Sequence, residues 1–403
     1  MKNLKLVCTN CGKEYSIDKL KARCDECNEP LEVEEIMAGK IKNGNILTQS
    51  IFDRYQDFMP FDGFDISMTL SEGFTPLVKS NRLADKLDIK NAYFKNETQN
   101  PTWSFKDRGT SACIIHAAKI GYKRIGTVST GNMAPSVAAY GRKNGLQTYV
   151  LVNSNIPDEK LNPIAIYSPH LIKVDGDYGN LYYKSLEIGE KNDIYFMNSD
   201  VPFRVEGSKI IAFEICEQLD FEMPDYIVVP TSAGGNVRGI EKGFREFENA
   251  GLIKRIPKII VAQAMGCSPI VKAFDDGREV IERFSNPDTI AHAIENPYPP
   301  SGNQVLRMLK RNKGSAIAVN EEEIINAQRL QAEEGIFGQP ASAVALAALI
   351  KLRGQDKIKE NDSVVCIVTG SGLKYTAVFE KHDLEVSDCK MENLSTMLTK
   401  EKS

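Results

Sequence analysis

Four cysteines near the amino end are set as two pairs, Cys8-x2-Cys11 and Cys24-x2-Cys27. Each pair can place two thiolates on one tight turn, and two such turns complete a tetrahedron around a metal ion. Gly12 and Asn28 follow the second cysteine of each pair, and both residue types tolerate the left-handed backbone that such turns often need. Residues 1–35 are too few to enclose a core, so a metal staple makes physical sense there. Four thiolates leave no coordination position for a substrate, so the spacing points to structural zinc; a redox pair and free thiols are its other readings. The remaining cysteines, Cys113, Cys216, Cys267, Cys366 and Cys389, are scattered, and an odd total of nine does not describe a disulfide framework.

A second chemical candidate is a lysine. The run Asn100-Pro101-Thr102-Trp103-Ser104-Phe105-Lys106-Asp107-Arg108-Gly109 opens a helical pattern. A lysine at a helix amino end opposes the helix dipole, and a dry setting lowers its pKa further; such an amine attacks carbonyls. A solvated side chain is the alternative. Three polar, glycine-bearing stretches follow strand patterns. Ser129-Thr130-Gly131-Asn132 offers hydroxyls and free backbone N–H groups suited to a carboxylate, or simply good helix caps. Ser232-Ala233-Gly234-Gly235-Asn236 precedes a helix and can turn its amides toward a phosphate; it lacks the lysine of a nucleotide P-loop and the spacing of a dinucleotide fingerprint. Thr369-Gly370-Ser371-Gly372-Leu373 is a third such loop, which turn chemistry alone could also explain.

These loops need a scaffold, and the rest of the chain supplies one. Strand patterns at Ala92-Phe94, Arg124-Ser129, Thr148-Val152, Leu171-Val174, Ile194-Met197, Tyr226-Val229, Lys258-Ala262 and Val364-Val368 alternate with helical patterns such as 107–120, 134–144, 204–219 and 237–249. That alternation predicts an α/β fold with parallel sheets covered on both faces, whose ligands bind at the carboxyl ends of the strands. Residues 276–303, rich in proline, are expected to be a surface connection. The 403-residue length allows two to three domains, and a net charge of −4 argues against a bulk nucleic-acid binder. No apolar run reaches the roughly 20 residues of a membrane span, and no secretory signal precedes Cys8, so a cytoplasmic location without membrane or nucleic-acid partners is expected.

Taken together, the motifs resemble the fold-type-II pyridoxal-phosphate enzymes and, within them, the threonine synthase family. The likeness runs from about residue 70 to 375, in the family's motif order. It includes Asn198-Ser199, Arg204-Val205-Glu206-Gly207, Gly335-Ile336-Phe337 with Pro340-Ala341-Ser342, and Gly372-Leu373-Lys374. The resemblance implies two three-layer α/β domains, tryptophan-synthase-β-like, behind a small zinc ribbon: 1–35 the ribbon, 36–90 with 200–385 the large cofactor-binding domain, 91–199 the small domain, and 386–403 a polar tail. It implies a Schiff base between Lys106 and pyridoxal 5′-phosphate, with Lys106 also shuttling protons. Asn132 would bond the cofactor's 3-oxygen, Ser232, Ala233, Gly234, Gly235 and Asn236 would hold its phosphate, and Thr369 would face its ring nitrogen. Substrate would be met by Ser104, Ser129, Thr130, Asn198, Ser199, Arg204 and Lys209. The last group includes the expected grip on a leaving phosphate, led by Arg204.

The implied reaction is O-phospho-L-homoserine plus water to L-threonine plus phosphate, run by a homodimer. Cysteate synthesis from phosphoserine and sulfite, and threonine or serine dehydration, are rival reactions on the same scaffold; a silent ribbon-bearing binding protein is the non-enzymatic rival. Four positions depart from the family pattern: Trp103 stands where glycine is usual, Met133 where threonine is frequent, Gln339 for glutamate and Ser371 for histidine. Trp103 is expected either in the core or on the wall of the substrate pocket. The zinc ribbon is expected to serve stability or assembly, with catalytic chemistry largely independent of it.

Overall fold

The structure is a computed structural model describing residues 1–400 other than 46, 47, 155, 157, 177, 383 and 385, and all their side chains but those at 158, 159, 178, 179, 396, 399 and 400. Residues 1–35 form an antiparallel ribbon of β1 (Lys5–Cys8), β2 (Glu14–Ser16) and β3 (Leu31–Val33), in the order β2-β1-β3. Leu6, Cys8, Leu31 and Val33 alternate inward on strands this short and are all buried.

Two further sheets carry the body of the chain. The larger combines β4 (Leu77–Lys79), β5 (Asn91–Asn96), β10 (Tyr226–Pro230), β11 (Lys258–Ala264), β12 (Ser315–Val319) and β13 (Ser363–Val368) in the order β12-β11-β10-β13-β5-β4. Only the β4–β5 pair is antiparallel. The smaller is wholly parallel, β8-β7-β6-β9, from β6 (Arg124–Val128), β7 (Gln147–Asn153), β8 (His170–Val174) and β9 (Tyr195–Phe196). Continuous apolar runs such as Ile227–Val229 and Val364–Val368 are buried throughout, as strands covered on both faces require.

Two expectations need correction. Residues 91–96 were expected to open the smaller unit, yet β5 pairs with β13 in full register, Ser363 against Asn91 through Val368 against Asn96. The apolar run at Ala92–Phe94 is equally compatible with either sheet, and only the pairing decides. Residues 276–303 are not merely a surface connection, because Ile281, Ala291, Ile294 and Ser301 are buried.

The relevant helices are α1 (Lys106–Lys119), α2 (Met133–Lys143), α3 (Asp158–Ala165), α4 (Tyr178–Lys191), α5 (Pro202–Gln218), α6 (Gly235–Asn249), α7 (Gly302–Asn312) and α8 (Pro340–Gly354). α5 is buried from Pro202 to Cys216, so its neighbours must approach closely. A Cβ on Gly207 would lie 2.2 Å from the Arg108 carbonyl oxygen of α1, and one on Gly243 would lie 2.3 Å from the Lys209 carbonyl oxygen. Glycine at these two positions lets three helix backbones share one line.

A helix this deep that carries charges must pair them. Arg108, fully buried, donates from Nε to Glu97 Oε2 at 2.6 Å and from Nη1 to Glu214 Oε1 at 2.6 Å, and Nη2 reaches Glu97, Glu214 and Thr75. Lys95 Nζ completes the cluster on Glu214 Oε2 at 2.6 Å. Burial alone would raise the Glu214 pKa; Arg108 and Lys95 overcome it and hold the carboxyl at about 2. A depressed folded pKa adds stability above the unfolded value, near 4.3, and that stability is lost as pH falls through the window toward about 2.

Arg108→Met would leave the buried Glu97 carboxylate without its cation and Glu214 with Lys95 alone, and unfolding by urea should show a loss of about 3–5 kcal/mol. Wild-type stability should also fall between pH 4.5 and 2. A variant as stable as wild type at pH 7 would show that the cluster does not hold the fold.

Candidate active site

The carboxyl ends of β5, β6, β10 and β13 converge on one cavity of about 1130 Å³. That is more than a single small molecule needs and suits a cofactor together with a substrate. It is lined by Lys106, by Ser129, Thr130, Gly131 and Asn132, by Ser199, by Ser232, Ala233, Gly234, Gly235 and Asn236, and by Thr369. These expected residues, far apart in sequence, are therefore brought together.

Lys106 is the first residue of α1, and the preceding turn is tied to the β13 loop. The Phe105 N–H donates to the Thr369 carbonyl at 3.1 Å, and Ser104 bridges to Gly370. Beside it Asp107 turns away from the amine: its carboxylate accepts from the Thr102 N–H at 2.7 Å, the Thr102 hydroxyl at 2.6 Å and the Ser136 hydroxyl at 2.6 Å. Lys106 Nζ lies 4.4 Å from the centre of the Phe105 ring and has no carboxylate partner among the described residues. Burial, reinforced by the charge on Arg204, lowers its pKa to about 7. An amine substantially neutral near physiological pH is a nucleophile for a carbonyl and a base for an adjacent C–H.

The phosphate-type loop has the form its glycines suggested. Gly234 caps α6 at φ +97°, and a Cβ on Gly235 would lie 2.4 Å from the Ser199 carbonyl oxygen. Free N–H groups of the first α6 turn face the cavity end, where an anion is favoured. Among the described residues the buried Asn236 side-chain amide has no hydrogen-bond partner for either its oxygen or its nitrogen, whereas Ser104, expected to meet the substrate, is wholly buried and does not line the cavity. Such a group is normally satisfied, so an unpartnered amide on the cavity lining, within the phosphate cradle, fits a bound pyridoxal phosphate.

Several expected substrate residues lie elsewhere. Asn198 is not on the cavity wall: its Oδ1 accepts from the Val128 N–H at 3.1 Å and its Nδ2 donates to Ser185 Oγ at 2.9 Å, locking β6 to α4. Arg204 lies beneath the floor, donating to Thr110 Oγ1 and to the Lys106 carbonyl, both at 3.1 Å. Lys209 is fully buried between Glu206 at 2.6 Å and Glu246 at 2.8 Å. Both cations sit on α5, which is enclosed on all sides, so neither reaches a leaving phosphate in this geometry. Cations that do line the cavity are Lys160, Arg283 and Lys374, with His292 beside them. Lys374 donates to the Thr102 carbonyl at 2.8 Å, and burial lowers its pKa to about 8, against the pull of Asp107. Sequence reasoning quoted Lys374 only as part of a motif and missed the other three; Arg283 and His292 stand in the proline-rich stretch, which offers no periodic pattern.

Of the four departures, three join the cavity and its loops. Gln339 Oε1 accepts from Asn132 Nδ2 at 3.1 Å, and Met133 lines the wall. Trp103 also lines it, 52% exposed, with φ +62°; it belongs to the pocket wall and not to the core. The left-handed backbone explains why glycine is usual there. Ser371 caps the short turn that follows, accepting from the Leu373 N–H at 3.2 Å.

At the ribbon, the four sulfurs of Cys8, Cys11, Cys24 and Cys27 all lie within 4.8 Å of one another. The N–H groups of Asn10 and Glu26 point at Cys8 and Cys24 Sγ at 3.5 and 3.4 Å, a donor set that favours thiolates and fits a tetrahedral metal.

The sequence profile described as "Pyridoxal-phosphate dependent enzyme" matches residues 68–370. Threonine synthase of Methanocaldococcus jannaschii is 40% identical, over 91% of this chain and 92% of its own; that of Methanosarcina acetivorans is 37% identical, over 92% of each. Maize serine racemase superposes with a TM-score of 0.65 at 23% identity, over 76% of this chain and 91% of its own, which shows the shared fold. The chain therefore belongs to the pyridoxal-phosphate dependent enzymes, of fold type II. Within them it belongs to the threonine synthases, and it is a lyase of amino-acid biosynthesis. Among the described residues no helix is long and apolar enough to cross a membrane.

Because Lys106 prefers its neutral form when folded, the cofactor-free protein should acylate at this residue with a rate that inflects near pH 7, read by peptide mapping. The same preference should add stability as pH rises from about 7 toward the unfolded value near 10.4. An inflection above pH 9 would show that the amine is not desolvated.

Proposed function

We propose that this chain converts O-phospho-L-homoserine and water to L-threonine and phosphate. The observation that carries the reading is likeness to threonine synthases over more than 90% of both chains. A cavity with a basic lysine, an anion cradle and several wall cations supports it.

In this reading Ser232 to Asn236 hold the cofactor's phosphate through the amides at the start of α6, Asn132 meets its 3-oxygen and Thr369 its ring nitrogen. When bound, pyridoxal phosphate supplies the electron sink that makes protons near the amino group of an amino acid removable. The N–H groups of Ser129 to Asn132, at the start of α2, hold the substrate carboxylate. Lys106 takes and returns protons at the α and β carbons, a role its lowered pKa suits. Lys160, Arg283 and Lys374, with Ser199, hold the leaving phosphate in place of the sequestered Arg204 and Lys209. The neutral Thr369 hydroxyl, bonded to Ser342 Oγ at 3.1 Å, leaves the ring nitrogen without a full counter-charge. That favours elimination and replacement.

We also propose one structural zinc ion per chain on Cys8, Cys11, Cys24 and Cys27, supported by the sulfur cluster.

Purified protein should release phosphate from phosphohomoserine with threonine as product. Lys106→Ala should retain noncovalent cofactor and lose turnover. Arg283→Ala should lower kcat/KM by roughly 10- to 100-fold, mainly through KM, as expected for losing a hydrogen bond to a charged group worth about 1.5–3 kcal/mol. Faster turnover of threonine or serine than of phosphohomoserine would replace this reading with a dehydratase.

A further inference from the structure

The ribbon is not a remote module. Its β3 edge is bound to α6: Arg238 Nε and Nη2 meet Glu32 Oε1 at 3.0 and 2.8 Å, and Lys242 Nζ donates to the Val33 carbonyl. Glu29 is held by Asn303 at 2.8 Å and by Arg307 at 2.6 Å, both on α7. One ribbon side chain reaches further still.

We infer that Arg23, set by the Cys24–Cys27 turn, is a positioning residue for the loop that cradles the cofactor phosphate, so that metal occupancy of the ribbon governs how tightly the cofactor is retained. Arg23 immediately precedes Cys24. Its Nε donates to the Asn28 carbonyl at 2.8 Å, inside the metal turn, and its backbone bridges to Pro30. From that anchorage Nη1 bonds Asp200 Oδ2 and Nη2 bonds the Pro300 carbonyl, each at 3.0 Å. The guanidinium also lies over the Tyr183 ring of α4, 5.4 Å from its centre.

The two residues it grips belong to the supports of the glycine loop. Asp200 follows Ser199 on the cavity wall. A Cβ on Gly235 would stand 2.4 Å from the Ser199 carbonyl oxygen and 3.3 Å from Asp200 Cα, so the first α6 turn rests on this segment without spare room. Pro300 precedes Ser301, whose N–H donates to the Ala233 carbonyl at 3.1 Å and whose hydroxyl donates to Asp200 Oδ2 at 3.1 Å. A Cβ on Gly234 would stand 2.9 Å from Ser301 Cβ. One guanidinium thus fastens both walls against Ala233, Gly234 and Gly235.

Asp200 is 1% exposed, and among the described residues Oδ1 has no hydrogen-bond partner. When metal loss unfolds the turn, Arg23 is released and a buried carboxylate is left without its cation, which destabilises the segment holding the loop. Coupling between the two sites follows, and it is reciprocal.

The inference rests on the zinc proposal but not on the identity of the substrate. The experiment measures pyridoxal-phosphate affinity of the full chain by quenching of Trp103, its only tryptophan, with zinc content determined in each sample. Zinc removal by a chelator under reducing conditions should weaken wild-type cofactor binding by about tenfold or more, the scale of one charge-assisted contact. Arg23→Met, with zinc still bound and its circular dichroism unchanged, should show a similar loss, and zinc removal should add little to it. Arg23→Lys, able to keep one bond, should fall between. Wild-type affinity in Arg23→Met, or an equal effect of zinc removal in wild type and variant, overturns the inference. Should Arg23→Met fail to fold, Asp200→Asn tests the same link, with the same loss of zinc dependence expected. A ribbon empty of zinc in wild type as purified refutes the metal dependence and leaves the synthase reading standing.

Discussion

The buried guanidinium of Arg108 is the interaction on which the rest depends. It lies two residues after Lys106, and it ties the start of α1 to Glu97 beyond β5, to Glu214 of α5 and to Thr75 beside β4. Asn100 joins the same assembly, donating to Glu97 Oε2 at 2.9 Å and accepting from the Gly73 N–H. The polar run from Asn100 to Gly109 is thereby fixed from below before any ligand arrives. An arginine suits this place better than a lysine, because its planar fork can serve two carboxylates at once.

That arrangement also decides the chemistry above it. A lysine amine with a lowered pKa must have no carboxylate at hand, yet the surrounding chain is full of acids. Glu97 and Glu214 are occupied by Arg108, and Asp107 by Thr102 and Ser136. The charge that acts on Lys106 is then that of Arg204, of like sign, held under the α1 backbone by Thr110 and the Lys106 carbonyl. The residue expected to grip a leaving phosphate instead helps keep the amine neutral. Desolvation does the larger part and the neighbouring cation the smaller.

Much of this was legible in the sequence and some was not, for physical reasons. The glycine loops, the lysine turn and the paired cysteines are local: their chemistry lies in adjacent residues, and each occurs where its pattern implied. β12 was missed because the two alanines of Ser-Ala-Ile-Ala-Val dilute its two β-branched residues, Ile317 and Val319, so the run stands out little from the helical patterns around it. Asn198 failed because nothing in a loop amide shows that a strand N–H and the Ser185 hydroxyl will claim it; Arg204 and Lys209, on α5, failed for another reason. A side chain on an amphipathic helix can be assigned to water or core by periodicity, but α5 is buried on every face, and its charges answer to partners on α1 and α6. Nothing in the spacing of Arg204 and Lys209 shows that one lies beneath a backbone carbonyl and the other between two glutamates. The cavity role of residues 283–300 was hidden likewise, since an irregular segment is positioned only by what it touches.

Trp103 shows how such local and distant constraints meet at the reacting end. Its N–H donates to the Asn100 carbonyl at 2.8 Å and its carbonyl accepts from the Ser371 N–H at 3.0 Å, so the backbone between the lysine motif and the β13 loop is pinned on both sides. That pinning demands the left-handed conformation, which costs a non-glycine residue roughly 1–2 kcal/mol. A large apolar ring that remains half exposed recovers little of this by burial. The strain therefore gains little packing, and what it achieves is to set the indole ring on the cavity lining. Trp103 and Met133 both replace smaller or hydroxylated side chains with apolar bulk on the cavity lining. The same cavity wall thus carries this apolar bulk together with the cations Lys160, Arg283 and Lys374.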